Sequence, residues 1–171
     1  MIIRLAMDDD IKRVVEIANA CADHMISKNI FQWDENYPNK EIFEEDVKND
    51  CLFVLENNTK VLGCICISLK IDDVYKNVNW LTANHNNVYL HRLAVHPDFQ
   101  GKGLALRLMD YAEEFTLKNG YNSIRLDTFS GNQKNNKFYT LQGYTKLEKI
   151  FYRTQSDMPF HCYEKIILPI I

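Results

Sequence analysis

Glycine is scarce in this sequence, with six in 171 residues. A chain so poor in glycine cannot build a succession of glycine-rich loops. The P-loop pattern G-x-x-x-x-G-K-[ST] is absent, and so is the dinucleotide fingerprint G-x-G-x-x-G, whose third position falls on Leu106. Long apolar runs are missing too. The longest, Val61 to Ile67, is far short of the ~20 residues that span a bilayer. The start, MIIRLAMDDDIK, is broken by charge, unlike a secretory leader. No strong charge excess exists: 23 acidic against 20 basic residues give a net charge of −3 and a pI of about 5.9. That balance excludes a strongly basic nucleic-acid binder. With 46% hydrophobic residues, it also excludes global disorder. No C-x-x-C pair occurs among Cys21, Cys51, Cys64, Cys66 and Cys162. Zinc-ribbon and thioredoxin-like readings therefore lack their ligands. A reducing, cytoplasmic setting fits this cysteine usage best. Cys64 and Cys66, two apart on an apolar stretch, read as small buried hydrophobes.

What is present is a regular succession of elements. Ile2 to Ala6 reads as a strand. Asp8, Asp9 and Asp10 then precede Ile11, Val14, Val15, Ala18, Ala22 and Met25, an amphipathic helix with acids at its N-terminus. Glu41 to Lys48 gives a second, acidic helix. Cys51 to Glu56 and Val61 to Leu69 flank Asn57–Lys60 as a hairpin. Lys70 to Asn87 is polar and irregular. Val88 to Val95 is a strand, Gly103 to Leu117 a helix ended by Asn119-Gly120, and Ser123 to Thr128 a strand. Gln133 to Gln142 is a helix closed by Gly143, and Tyr144 to Tyr152 and Phe160 to Leu168 are closing strands. Without repeat or linker, this order describes one α/β domain over residues 1–171, a sheet with helices packed on its faces.

Two of the six glycines fall at Gln100-Gly101-Lys102-Gly103-Leu104-Ala105, between a strand and an amphipathic helix. Glycine lets the backbone turn tightly and leaves no Cβ in the way of a ligand. The first N–H groups of a helix have no partners within it, and the helix dipole favours negative charge there. Lys102 adds a full positive charge. A pyrophosphate is the natural guest.

Arg92-Leu93-Ala94-Val95-His96-Pro97 followed by Gln100-Gly101-Lys102-Gly103-Leu104-Ala105 resembles motif A of the GNAT family of acetyl-CoA-dependent N-acetyltransferases, whose core is [QR]-x-x-G-x-[GA]. Downstream, Asn132, Phe138-Tyr139 and Gly143-Tyr144 resemble the family's second block. The resemblance implies a mixed, mostly antiparallel sheet of about seven strands flanked by about four helices. It implies acetyl-CoA as co-substrate, with no metal. Leu93, Ala94 and Val95 would offer their backbones to the pantetheine arm as to an added strand. Gln100, Gly101, Lys102, Gly103, Leu104 and Ala105 would cradle the pyrophosphate. Asn132 would contact the pantetheine end, with Asn135 and Asn136 facing the same region, although the family often has Ala at the position of Asn135. Tyr139 would lie near the thioester sulfur.

Acetyl transfer to an amine needs a neutral nucleophile, a donor for the developing oxyanion and an acid for the leaving thiolate. Tyr139 suits the last role and a backbone N–H near Val95 the second. His91, on the strand one residue before Arg92 and sharing a face with Tyr89, is the candidate base, since imidazole titrates near neutral pH. His96 shapes the turn before Pro97. Asp127 could orient groups or pair with Arg125 or Arg92.

In the family the first two helices and the loop after the third strand wall the acceptor pocket. Those segments hold Gln32, Trp33, Tyr37, Tyr75 and Trp80, with Tyr89 nearby, and acids at Glu41, Glu44, Glu45 and Asp46. Aromatic walls with carboxylates suit a cationic amine. The expected partner is a small-molecule amine or a peptide, not nucleic acid and not a membrane. The apolar end Ile166, Ile167, Leu168, Ile170 and Ile171 suits a homodimer contact or core. The competing readings are a non-catalytic acetyl-CoA-binding sensor or interaction module, and a scaffold of similar topology.

Overall fold

The computed structural model describes residues 1–153 and 155–167. The strands are β1 (Ile2–Leu5), β2 (Leu52–Asn57), β3 (Lys60–Ser68), β4 (Asn87–Val95), β5 (Ser123–Phe129), β6 (Thr145–Ile150) and β7 (Phe160–Ile166). The helices are α1 (Asp8–Ile26), α2 (Lys40–Lys48), α3 (Leu104–Lys118) and α4 (Gln133–Leu141). The strands form one mixed sheet in the order β1-β2-β3-β4-β5-β7-β6. The described residues fall into two compact units, 1–67 with 91–112, and 68–90 with 113 onward.

In the first unit, β1 pairs antiparallel with β2, and β2 with β3. The β2–β3 turn has Asn58 and Thr59 at its centre, with φ of 48° and 65°. Two central residues with positive φ match the right-handed twist of a hairpin. Helix α1 starts where the Asp10 carboxylate accepts the Met7 N–H at 2.8 Å, so acid and N-terminus reinforce one another. Its apolar stripe buries Val14, Ile17, Ala18 and Cys21 against Leu52, Val54, Cys64 and Cys66, with Trp33, Phe43 and Ala94 completing the core. Full burial of each Val, Ile or Leu contributes about 1.5–3 kcal/mol. At Gly63, β3 lies close against β4: a Cβ there would sit 2.6 Å from the Ala94 carbonyl oxygen.

In the second unit, β4 pairs parallel with β5 over only Asn87–Tyr89 and Ser123–Arg125. Strand β7 pairs antiparallel with β5 along seven residues, and with β6 on its other edge. The last described strand thus lies between β5 and β6. Asn132 caps α4 by accepting the Asn135 N–H at 3.1 Å. The irregular segment before β4 contains one 3₁₀ turn, Asp73–Tyr75. At the apolar end, Ile166 is exposed and Ile167 half-buried, while Leu168, Ile170 and Ile171 lie outside the described residues. No described helix is long and apolar enough to cross a membrane.

Candidate active site

The loop expected to hold a phosphate is built from the end of β4, a 3₁₀ turn at Pro97–Phe99 and the start of α3. Gly101 and Gly103 have φ of 75° and 76°, the left-handed region that side chains resist. A Cβ on either would meet nothing within 4 Å, so their need for glycine is conformational and the space before them is open. Among the described residues, the main-chain N–H groups of residues 101–106 donate to no group. Six successive free donors at a helix N-terminus have the chemistry to take an anion. The Gln100 side chain turns back, its Nε2 donating to the Val95 carbonyl at 3.0 Å, and fixes the turn to the strand. Lys102 is exposed, with Nζ on the Asp98 carbonyl at 3.2 Å and 5.1 Å above the Phe99 ring. Leu104 is buried under the loop and Ala105 half-buried.

The strand leading into that loop is bent. Arg92 has φ of 51°, a conformation costing a non-glycine residue about 1–2 kcal/mol. The side chain offsets the strain. Its Nε and Nη2 donate to the two Asp46 carboxylate oxygens at 2.6 and 2.7 Å, and its Nη1 to the Tyr37 hydroxyl at 3.4 Å. Asp46, expected on an acidic face toward the acceptor, is instead the buried counter-ion of this arginine. Leu93 is half-buried, Ala94 and Val95 are buried, and the Val95 carbonyl also accepts from the Cys21 thiol at 3.2 Å. His91 departs from the near-neutral titration expected of it. Desolvation, with the adjacent Arg92 charge, pushes its imidazole down to about 3.

The second unit holds Tyr139, buried among Tyr144, Tyr163 and Phe138. Among the described residues its hydroxyl makes no hydrogen bond. Burial, then the charges of Asp127 and Tyr163, push the phenol above its ordinary range, so it stays protonated. Among the described residues, Asp127 does not pair with Arg125, whose partner is Glu164. Its Oδ2 accepts from the Tyr75 hydroxyl and from the Tyr152 hydroxyl, the latter at 3.0 Å. Its Oδ1 has no hydrogen-bond partner among the described residues. Desolvation raises this carboxyl to about 6 against the two tyrosine hydrogen bonds, which lower it. The sequence reading gave Tyr152 no role beyond the end of a closing strand; β6 stops at Ile150, and Tyr152 lies in the irregular stretch after it.

The asparagines serve the fold. The Asn132 carboxamide oxygen is committed to the α4 cap. Asn136, expected toward the cofactor, is saturated internally. Its Nδ2 donates to the Phe129 and Asn132 carbonyls, and its Oδ1 meets the Tyr163 hydroxyl and His161 Nδ1 at 2.8 and 2.9 Å. Asn135 reaches Thr128 at 3.4 Å.

Most of the aromatic residues assigned to the acceptor are likewise occupied within the chain. Trp33 is packed in the first unit's core, Tyr37 leans on Arg92, and Gln32 is half-buried. Tyr75 is fully buried. Trp80 donates its indole N–H to the Tyr75 carbonyl at 3.0 Å and carries the Arg125 guanidinium 4.7 Å from its ring centre. The Tyr89 hydroxyl accepts from Arg125 at 3.3 Å. The cation over these rings is therefore the protein's own arginine.

Known proteins share this organisation. The uncharacterized N-acetyltransferase YesJ of Bacillus subtilis (strain 168) is 24% identical over 142 residues, 81% of this chain and 78% of that protein. A solved structure from Staphylococcus aureus Mu50, assigned as an acetyltransferase, is 26% identical with a TM-score of 0.76, covering 98% of this chain and 100% of its own. The structure of yncA from Salmonella typhimurium, determined with its cofactor acetyl-CoA, shares the fold at 17% identity and a TM-score of 0.73, over 100% of this chain and 96% of its own. The model of the acetyltransferase (GNAT) family matches residues 12–144, which span both glycines of the phosphate loop and the Tyr139 helix. The chain belongs to the GNAT family of N-acetyltransferases.

Proposed function

We propose that this enzyme moves an acetyl group from acetyl-CoA to a primary amine of a small cationic molecule or a peptide, by direct attack in a ternary complex. The carrying observation is the row of unpaired N–H donors at residues 101–106, with Gly101 and Gly103 held at positive φ. That chemistry fits a diphosphate. Bound acetyl-CoA would supply the activated acyl group. Residues Gln100 to Ala105 hold its pyrophosphate and the backbone of Leu93 to Val95 its pantetheine arm. A backbone N–H near Val95 takes the charge developing on the attacked oxygen.

Tyr139 is the acid that hydrogen-bonds to and protonates the departing sulfur, a role supported by its free, protonated hydroxyl. His91, with its depressed affinity for protons, is a weak base. Asp127 is better suited to take the proton of an incoming ammonium group. Its Oδ1 is free, its other oxygen is fixed by two tyrosines, and it titrates at about 6. The carboxylate also gives a cationic acceptor its anchor.

Release of CoA thiol from acetyl-CoA, measured across polyamines, amino acids, aminoglycosides and peptides, tests this reading. Turnover with at least one amine is expected. Transfer to alcohols or carboxylates but to no amine would overturn it. The depressed imidazole of His91 favours a second reading, a sensor that binds acetyl-CoA without turnover, for which calorimetric binding would come with no thiol release.

A further inference from the structure

Two cysteines meet in the first unit. The Cys66 thiol donates to the Cys51 sulfur across 3.4 Å. Cys51 immediately precedes β2, and Cys66 lies opposite Leu52 in β3. Cys51 is half-buried, whereas Cys21, Cys64, Cys66 and Cys162 are buried. Arg92 Nη2 donates to the Cys66 sulfur at 3.3 Å, and an Asp46 carboxylate oxygen lies 3.8 Å from the Cys51 sulfur.

Among the described residues, Asp46, Cys51 and Cys66 are the only group whose ligand atoms all lie within 4.8 Å of one another, close enough to share a metal ion. The Arg92 guanidinium, bonded to both Asp46 and Cys66, sets a fixed positive charge where a cation would have to sit. The pair's chemistry is therefore that of a dithiol.

We propose that Cys51 and Cys66 are a peroxide-reactive pair that closes to a disulfide. The Cys51 thiolate attacks hydrogen peroxide. An S–O bond forms, the O–O bond breaks, sulfur is oxidised by two electrons, and hydroxide leaves with the proton that Cys51 gave up, as water. The Cys66 sulfur then attacks the Cys51 sulfenic acid. The S–S bond forms, the S–O bond breaks, and the departing hydroxide takes the Cys66 proton as a second water. Closure needs the sulfurs to move from 3.4 Å to the about 2.0 Å of a disulfide bond.

Exposure and charge select Cys51 as the attacking thiol. The hydrogen bond from Cys66 holds it below the usual thiol range, while burial pushes Cys21 up to about 11 and Cys64 and Cys162 higher still. Arg92 stands by to stabilise the Cys66 thiolate as it attacks.

The test is stoichiometric hydrogen peroxide on the purified full chain, followed by thiol counting and non-reducing peptide mapping. Free thiols should fall from five to three, with one linkage joining Cys51 to Cys66 that a dithiol reductant reverses. Cys66→Ser should stop at a sulfenic acid on Cys51, trapped by dimedone. Cys51→Ser should lose thiols about tenfold more slowly or slower still, as its remaining thiols are buried. Five thiols surviving in the wild type, a different linkage, or equal thiol loss in Cys51→Ser would each overturn the proposal. None of these readouts depends on acetyl transfer.

Discussion

The Arg125 guanidinium and the Glu164 carboxylate meet at 3.0 Å with neither side chain exposed. Around them, Glu164 accepts from the Leu81 N–H and the Thr82 and Ser123 hydroxyls, and Arg125 donates to the Asn84 side chain and the Thr82 and Ala83 carbonyls. One buried pair thus pins the segment before β4 to β5 and β7. Arg125→Met should destabilise the protein by about 3–5 kcal/mol, since it strands a buried carboxylate. Replacing both residues by apolar ones should cost less than the single change, read from urea midpoints at unchanged slope.

The glycines of β3 and of the phosphate loop should behave differently. Gly63→Ala drives a Cβ to 2.6 Å from a β4 carbonyl, so it should lower Tm markedly. Gly101→Ala meets open space and only the strain of its positive φ, about 1 kcal/mol. Its main effect should be on acetyl-CoA affinity by calorimetry, because relaxing φ re-aims the donors.

Tyr139→Phe removes one hydroxyl of a buried residue, and that hydroxyl forms no hydrogen bond among the described residues. Stability should change little. The acetylation rate should fall about 10²–10⁴-fold, the usual worth of a positioned acid, with acetyl-CoA affinity retained. Equal rates in the two proteins would remove Tyr139 from the chemistry.

Asp127 and His91 give opposite pH signatures. The folded protein holds the Asp127 proton up to about 6, above the ordinary value of 3.8. Its contribution to stability is therefore greatest in acid and declines as pH rises from about 4 through 6. His91, pushed down to about 3, contributes stability that is full above its ordinary value of 6.5 and is lost as pH falls toward 3. Asp127→Asn should remove the first slope and His91→Gln the second, in denaturant titrations across pH 3–8. The rate of amine acetylation should rise through about pH 6 and lose that limb in Asp127→Asn.

Where apolar spacing and punctuation act locally, the sequence was readable. Asp8–Asp10 before an apolar stripe marked α1, and Gly101 and Gly103 before Leu104 marked the turn into α3. Relations decided by distant partners were not. Nothing near Phe160–Ile166 shows that β7 enters between β5 and β6, because the pairing is settled by residues 123–129. Trp80 and Tyr89 read as walls for a foreign cation because their own, Arg125, stands 36 or more residues downstream. Asp46 read as one acid of an acceptor-facing row because Arg92 is 46 positions away. Tyr152 read only as the end of a strand, and the structure sets its hydroxyl on Asp127, 25 positions away.

The bend at Arg92 has a bearing on how the molecule acquires its ligand-holding shape. A left-handed arginine within a strand is not self-sustaining, and here the restraint comes from a short helix far upstream in the chain. Until α2 has docked, the segment that feeds the phosphate loop has no reason to kink. If that loop holds acetyl-CoA as proposed, its competence is an achievement of long-range assembly, not something the loop possesses as an isolated peptide.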